Sequence, residues 1–249
     1  MKYKVGTRGS ALALAQTRSV VNLLKKEYPE DDFEIVKIVT TGDKDQNKPL
    51  DSMGTKGVFT DAIEAALCSG EIQFAVHSLK DMPDTLPEGM IFSKPLKRAD
   101  PRDALILRDA ASLSALKKGA VLATGSRRRE YQLKQLRPDI QIVPIRGNVD
   151  TRIRRIHEGL PDGTRIDGIV IAAAGAERLG REKEITQILH VDEMIPACGQ
   201  GTLAVELRED SRELLEKLNA LSDEETTKAV WLEREFLKRI GANCHALVG

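Results

Sequence analysis

Short apolar runs of strand character alternate with longer helical runs along almost the whole chain, and no other feature narrows the fold as much. Residues 3–7, 33–40, 74–76, 104–107, 121–123, 141–145, 168–172 and 203–207 are rich in aliphatic side chains and suit strands. Helical patterning covers 10–27, 58–68, 127–136, 149–157, 210–221 and 224–240, with one more helix after 172. Ser10 stands where an N-cap belongs, and Pro138 stops the run that starts at Arg127. Strands separated by helices imply βαβ units and mostly parallel sheets covered on both faces. A chain of 249 residues has room for two such lobes. Crossings between lobes are expected at 97–102, which is polar and holds Pro101, and at 195–201, which is rich in small residues. Two crossings imply a cleft, a common ligand site.

Lys and Arg together number 38, as do Asp and Glu, so the chain carries no net charge. That balance, with aromatics at only 4%, argues against a nucleic-acid binder. The distribution is uneven, however. Residues 121–181 hold eleven arginines and one lysine against seven acids, a local balance of +5. Arginine suits carboxylate or phosphate, because its planar fork donates two parallel hydrogen bonds. The three cysteines, Cys68, Cys198 and Cys244, form no close pair, and the four histidines are scattered. Neither a disulfide framework nor a metal site is expected, and a reducing, cytoplasmic setting fits. Cys68 and Cys198 read as small packed residues. No apolar stretch approaches the roughly 20 residues of a membrane span.

Anion-binding geometry recurs where a strand end leads into a helix start, because free backbone N–H groups and the helix dipole both favour negative charge there. Thr124-Gly125-Ser126-Arg127-Arg128-Arg129 is one such place. Arg146-Gly147-Asn148 is a second, with Arg152 one turn on from Asn148. Thr7-Arg8-Gly9-Ser10 is a third, and Gly54-Thr55-Lys56-Gly57 adds a basic loop without phosphate-loop spacing. Arg154, Arg155 and Arg165 read as a solvated helix face instead.

Two further segments carry reactive groups. His77-Ser78-Leu79-Lys80-Asp81-Met82-Pro83 follows the apolar run 74–76, so it lies at a strand's C-terminal end. Lys80 beside Asp81 favours the charged carboxylate, although a plain turn before proline also explains these residues, and His77 alone suits a packed histidine. Cys244, in a loop of small residues after a helix, is either a nucleophile or an idle thiol near the end of the chain.

Six motifs in order resemble the hydroxymethylbilane synthase (porphobilinogen deaminase) family: Thr7-Arg8-Gly9-Ser10-Ala11-Leu12-Ala13, Gly54-Thr55-Lys56-Gly57-Val58-Phe59, His77-Ser78-Leu79-Lys80-Asp81-Met82-Pro83, Asp100-Pro101-Arg102-Asp103-Ala104, Arg146-Gly147-Asn148-Val149 and Pro196-Ala197-Cys198-Gly199-Gln200-Gly201. The resemblance implies an α/β fold of two periplasmic-binding-protein-like lobes with a central cleft, plus a truncated small third domain. Lobe 1 would comprise 1–98 and 197–219, lobe 2 would be 99–196, and 220–249 would remain of the third domain. It also implies a monomer that joins four porphobilinogen molecules head to tail with loss of ammonia, giving hydroxymethylbilane. A dipyrromethane cofactor, itself built from porphobilinogen and covalently attached through Cys244, would prime the chain.

Under the same resemblance Asp81 is the catalytic carboxylate, stabilising positive charge on the azafulvene intermediate. Lys80, Ser78, Thr124, Ser126, Arg128, Arg129 and Gln200 hold the cofactor. Arg8, Ser10, Lys56, Arg146, Arg152 and Arg178 hold substrate carboxylates. Gly125 replaces a serine usual in the family, and the cysteine loop reads Ala242-Asn243-Cys244-His245 rather than Gly-Gly-Cys. A shortened third domain admits an alternative, a two-lobe module that binds a polyanion and is catalytically idle.

Overall fold

The computed structural model describes residues 1–40, 61–83 and 85–241. Along the chain the strands are β1 (Lys2–Thr7), β2 (Asp32–Lys37), β3 (Phe74–Ser78), β4 (Met90–Phe92), β5 (Asp103–Leu107), β6 (Val121–Ala123), β7 (Gln141–Val143), β8 (Gly168–Ala172), β9 (Gln187–Ile188) and β10 (Leu203–Arg208). The helices are α1 (Ala11–Glu27), α2 (Asp61–Cys68), α3 (Arg127–Leu136), α4 (Val149–Glu158), α5 (Ala173–Arg178), α6 (Arg212–Ala220) and α7 (Glu224–Arg239). The chain divides into two compact units. Met1–Arg98 with Thr202–Arg234 form unit 1, and Ala99–Gly201 with the end of α7 from Glu235 form unit 2.

Unit 1 contains a five-stranded sheet in the order β2-β1-β3-β10-β4. One face packs Phe74, Val76, Val205 and Leu207 against Val20 and Leu24 of α1 and Leu214 and Leu218 of α6. The other face sets Ala75 against Ile63 and Leu67 of α2. Each large aliphatic side chain withdrawn from water in this way contributes about 1.5–3 kcal/mol. α1 starts where expected, because the Ser10 hydroxyl oxygen accepts the Ala13 N–H at 3.2 Å. Lys25 and Lys26 in its last turn oppose the negative end of the dipole.

Unit 2 repeats this plan with the strand order β7-β6-β8-β5-β9. Leu105, Leu122, Leu133 and Val170 form one cluster, and Ile106, Ile153, Ile156 and Ile169 form another. α3 and α4 begin at Ser126 and Asn148, whose side-chain oxygens accept from Arg129 N and Thr151 N.

Each sheet holds one reversed strand, which the sequence reading did not show. β2, β1 and β3 run parallel, but β10 is antiparallel to both β3 and β4. β7, β6 and β8 run parallel, but β5 is antiparallel to both β8 and β9. β10 and β5 join their sheets from distant chain positions, so local alternation does not reveal their direction. β4 and β9 have three and two residues, too few to show a period. β7 stops at Val143 because Pro144 has no N–H to extend the ladder. β3 runs on to Ser78 because Leu203 of β10 pairs with it. Cys68 is exposed at the end of α2, so it is not the packed residue expected, and Cys198 is half-buried. Among the described residues no helix is long and apolar enough to cross a membrane.

Candidate functional site

In unit 2 the candidate residues gather around a buried carboxylate. Asp103 opens β5 and is wholly buried. Its Oδ1 accepts from Arg129 Nε at 3.0 Å and Arg129 Nη2 at 2.7 Å, and its Oδ2 accepts from Arg128 Nη2 at 2.6 Å. Gln200 Nε2 donates to the same Oδ1 at 2.9 Å and to the Pro101 carbonyl at 2.6 Å. Arg129 Nη1 reaches the Val170 carbonyl at 3.1 Å, and Arg128 Nη1 donates to the Ile195 carbonyl. Burial pushes the Asp103 carboxyl up, but Arg129 and Arg128 beside it bring it down to about 2. Burial lowers the Arg128 guanidinium, which Asp103 opposes.

Arg178, at the end of α5, joins this cluster through the backbone. Its Nη2 donates to the Gly201 carbonyl at 2.6 Å, one residue along from Gln200. Gly201 has φ +87°, and a Cβ there would lie 2.5 Å from the Ala99 carbonyl oxygen, so only glycine fits. Burial lowers the Arg178 guanidinium as well. Two buried guanidiniums thus share one carboxylate, and the third, half-buried, bonds to the backbone next to Gln200. Thr124 is buried and its Oγ1 accepts the Ser126 N–H at 3.2 Å. Gly125 is exposed, and a Cβ there would meet the Ile145 carbonyl oxygen at 3.0 Å.

A second group lies beside α4. Arg146 is exposed, and Arg152 Nε donates to the Gly147 carbonyl at 2.8 Å, so Arg152 does fold back onto the Arg146-Gly147-Asn148 turn. Gly147 has φ +103°, a conformation that glycine adopts without strain. Arg154 and Arg155 pair with Glu158 on the solvated side of the same helix, as read.

Unit 1 carries the other candidates at the ends of β1 and β3. Arg8 and Ser10 are half-buried between β1 and α1. Asp81 is exposed on a single 3-10 turn, Leu79–Asp81, that follows β3, with half-buried Lys80 beside it. Met82 N donates to the Leu79 carbonyl at 3.0 Å, and Leu79 N to the Thr202 carbonyl at 3.0 Å, so backbone bonds hold the turn. Ser78 Oγ accepts from Gln16 Nε2 of α1 at 2.8 Å. Val230 of α7 packs on Leu79 and Met82, while Arg234 Nη2 donates to the Pro83 carbonyl at 2.7 Å. Lys56 and Cys244 lie outside the described residues.

Sequence reasoning missed Asp103 as a member of the cluster, although it sits in the Asp100-Pro101-Arg102-Asp103-Ala104 motif. A charged residue opening an apolar strand was the available signal. Among the described residues no cluster of His, Cys, Asp and Glu could hold a metal ion.

Comparison with known proteins shows the family. A family model described as "Porphobilinogen deaminase, dipyromethane cofactor binding domain" matches residues 3–216. A porphobilinogen deaminase of Lachnospira eligens is 53% identical over the whole of this chain and 83% of its own length. Those of Clostridioides difficile and Brevibacillus brevis are 48% and 47% identical, over 98% and 100% of this chain and 80% and 79% of theirs. Among solved structures, a methionine-binding protein aligns with TM-score 0.52 at 16% identity, covering 94% of this chain and 95% of that one. A nutrient-binding protein from Burkholderia cenocepacia aligns with TM-score 0.52 at 15% identity over 96% of both chains. These two show a shared two-lobe α/β fold and nothing further. The ordered motifs, the arginine cluster and the family match together establish that the chain belongs to the porphobilinogen deaminase family.

Proposed function

We propose that this chain joins four porphobilinogen molecules head to tail, releasing ammonia at each step, to give hydroxymethylbilane. The carrying observation is the guanidinium cluster in unit 2, where buried Arg128 and Arg129 pair with a single carboxylate, Asp103, and half-buried Arg178 donates to the Gly201 carbonyl. Buried cations in excess of their anions need a counter-charge. Each pyrrole of the product brings an acetate and a propionate, so the growing chain is such a counter-charge.

The donor set also fits a dipyrromethane group, which carries the same carboxylates. Arg128, Arg129, Thr124, Ser126, Gln200, Ser78 and Lys80 would hold it, with Cys244 as the point of covalent attachment. When bound, that group supplies the primer to which the first pyrrole is added. Arg8, Ser10, Lys56, Arg146, Arg152 and Arg178 would hold the carboxylates of incoming and added pyrroles. The Ser10 oxygen accepts from Ala13 N, which leaves its hydroxyl proton to donate to a carboxylate. Asp81 would accept hydrogen bonds from pyrrole N–H groups and stabilise the positive charge that develops as ammonia leaves. Lobe 1 in this reading is 1–98 and 197–219, lobe 2 is 99–196, and 220–249 belongs to a third domain. The enzyme acts in the cytoplasm, as a monomer that needs no nucleic acid.

Intact mass and ammonia release test the reading. Protein made in cells that supply porphobilinogen should exceed its sequence mass by two pyrrole units, and Cys244→Ser should lack the increment. Asp81→Asn should lower ammonia release about 10²- to 10³-fold while the protein stays folded. Wild-type protein that carries the increment yet releases no ammonia would point instead to an idle polyanion-binding module.

A further inference from the structure

Unit 1 buries a pair of titratable side chains that the reaction as described does not use. Antiparallel pairing sets His77 of β3 opposite Ala204 of β10, and Ala75 opposite Glu206, so all four side chains share the face that packs on α2. Glu206 is fully buried and His77 nearly so. His77 Nε2 lies 2.9 Å from Glu206 Oε2. The contact has the distance of an ion pair without the alignment of a hydrogen bond. Neither Glu206 oxygen nor His77 Nε2 has a hydrogen-bond partner among the described residues. The apolar clusters on this face hold Ile63, Leu67 and Ala75 in one and Leu79, Met82, Ala204 and Val230 in the next.

Fold stability is a poor account of this pair. Withdrawing two such polar side chains from water costs about as much as their pairing returns, and an apolar pair of similar volume is often equally stable or more so. A polar pair does something that an apolar pair does not: it fixes the direction and separation of two particular atoms. Here it links β3 to β10 one residue before their ladder ends at Ser78 and Leu203. The turn bearing Asp81 starts at the next residue, Leu79.

We infer that Glu206, acting through His77, is a positioning residue for Asp81. It fixes the end of β3 from one side, and Gln16 holds Ser78 with a direct hydrogen bond. The inference rests on the reading of Asp81 as the catalytic carboxylate. Asp81 itself is exposed on a single short turn, so a small shift at its root carries straight to its carboxylate.

The test replaces the pair by apolar residues, His77→Leu with Glu206→Leu, beside the near-isosteric Glu206→Gln, wild type and Asp81→Asn. Each is purified as holoprotein and its cofactor loading checked by mass. The thermal midpoint of the double variant should stay level or rise, kcat for porphobilinogen consumption should fall about 10- to 100-fold, and KM should stay within about twofold. Glu206→Gln should fall in the same direction by less, and it decides the matter if the double variant does not fold. Full kcat in both variants alongside an inactive Asp81→Asn overturns the inference alone. A loss of kcat that merely tracks a loss of stability also overturns it. Full turnover in Asp81→Asn overturns both the inference and the reading beneath it.

Discussion

The antiparallel strand of each sheet carries a fully buried acid, Glu206 on β10 in unit 1 and Asp103 on β5 in unit 2. The sheets share one strand plan, yet these acids are satisfied in opposite ways. Asp103 receives hydrogen bonds from two guanidiniums and an amide. Glu206 faces one imidazole at 2.9 Å and, among the described residues, accepts no hydrogen bond. A saturated network in a low-dielectric interior is rigid and strong, whereas a bare pair contributes direction more than stability. The loops differ to match. After β8 the chain enters α5, which ends on Arg178, and after β3 it makes the one-turn helix that exposes Asp81. One unit thus builds a fixed, positively charged anchor, and the other presents a lone carboxylate on a short support.

Substitution of Asp103 is the hardest test of that contrast. Asp103→Ala would leave Arg128 and Arg129 buried without their carboxylate, at a cost of about 3–5 kcal/mol. Denaturant unfolding should show the loss, with amide exchange in β5 and β8 accelerated first. An Asp103→Ala protein as stable as wild type would show that the network adds no net stability.

Acid titration gives a smaller and more graded effect. Asp103 is held at about 2 in the folded chain, against roughly 4 for a free aspartate. Its folded value is depressed, so its contribution is complete above about pH 4 and is lost as pH falls from about 4 to about 2. The amount is about 2–3 kcal/mol, read from unfolding midpoints across that window. If Asp103→Asn shows the same slope there as wild type, the depression is not Asp103's. The least change is expected at Arg154. It pairs with Glu158 at 3.3 Å on an exposed face, so Arg154→Ala should shift stability by no more than about 0.5 kcal/mol and leave porphobilinogen turnover untouched. A turnover defect there would move Arg154 into the anion site.

Much of the local architecture is legible in the linear chain. Ser10, Ser126 and Asn148 cap their helices because a short oxygen-bearing side chain can reach an N–H three residues on, a contact between near neighbours. The boundaries of β6, α3 and β8 follow from patterning over the same short range. Residue order, read as motifs, was also enough to reach the family. What was not legible was where Arg128 and Arg129 point. As members of a basic run at a helix start they read as binders of a ligand anion, whereas both close on Asp103. The direction of β10 and β5, and with it the meeting of Glu206 and His77, was equally hidden. Caps and periods are decided within a few residues, so sequence alone determined them. Buried charges are decided by whichever partner the assembled sheets bring within about 3 Å in a medium that screens poorly, and only the tertiary structure makes that choice.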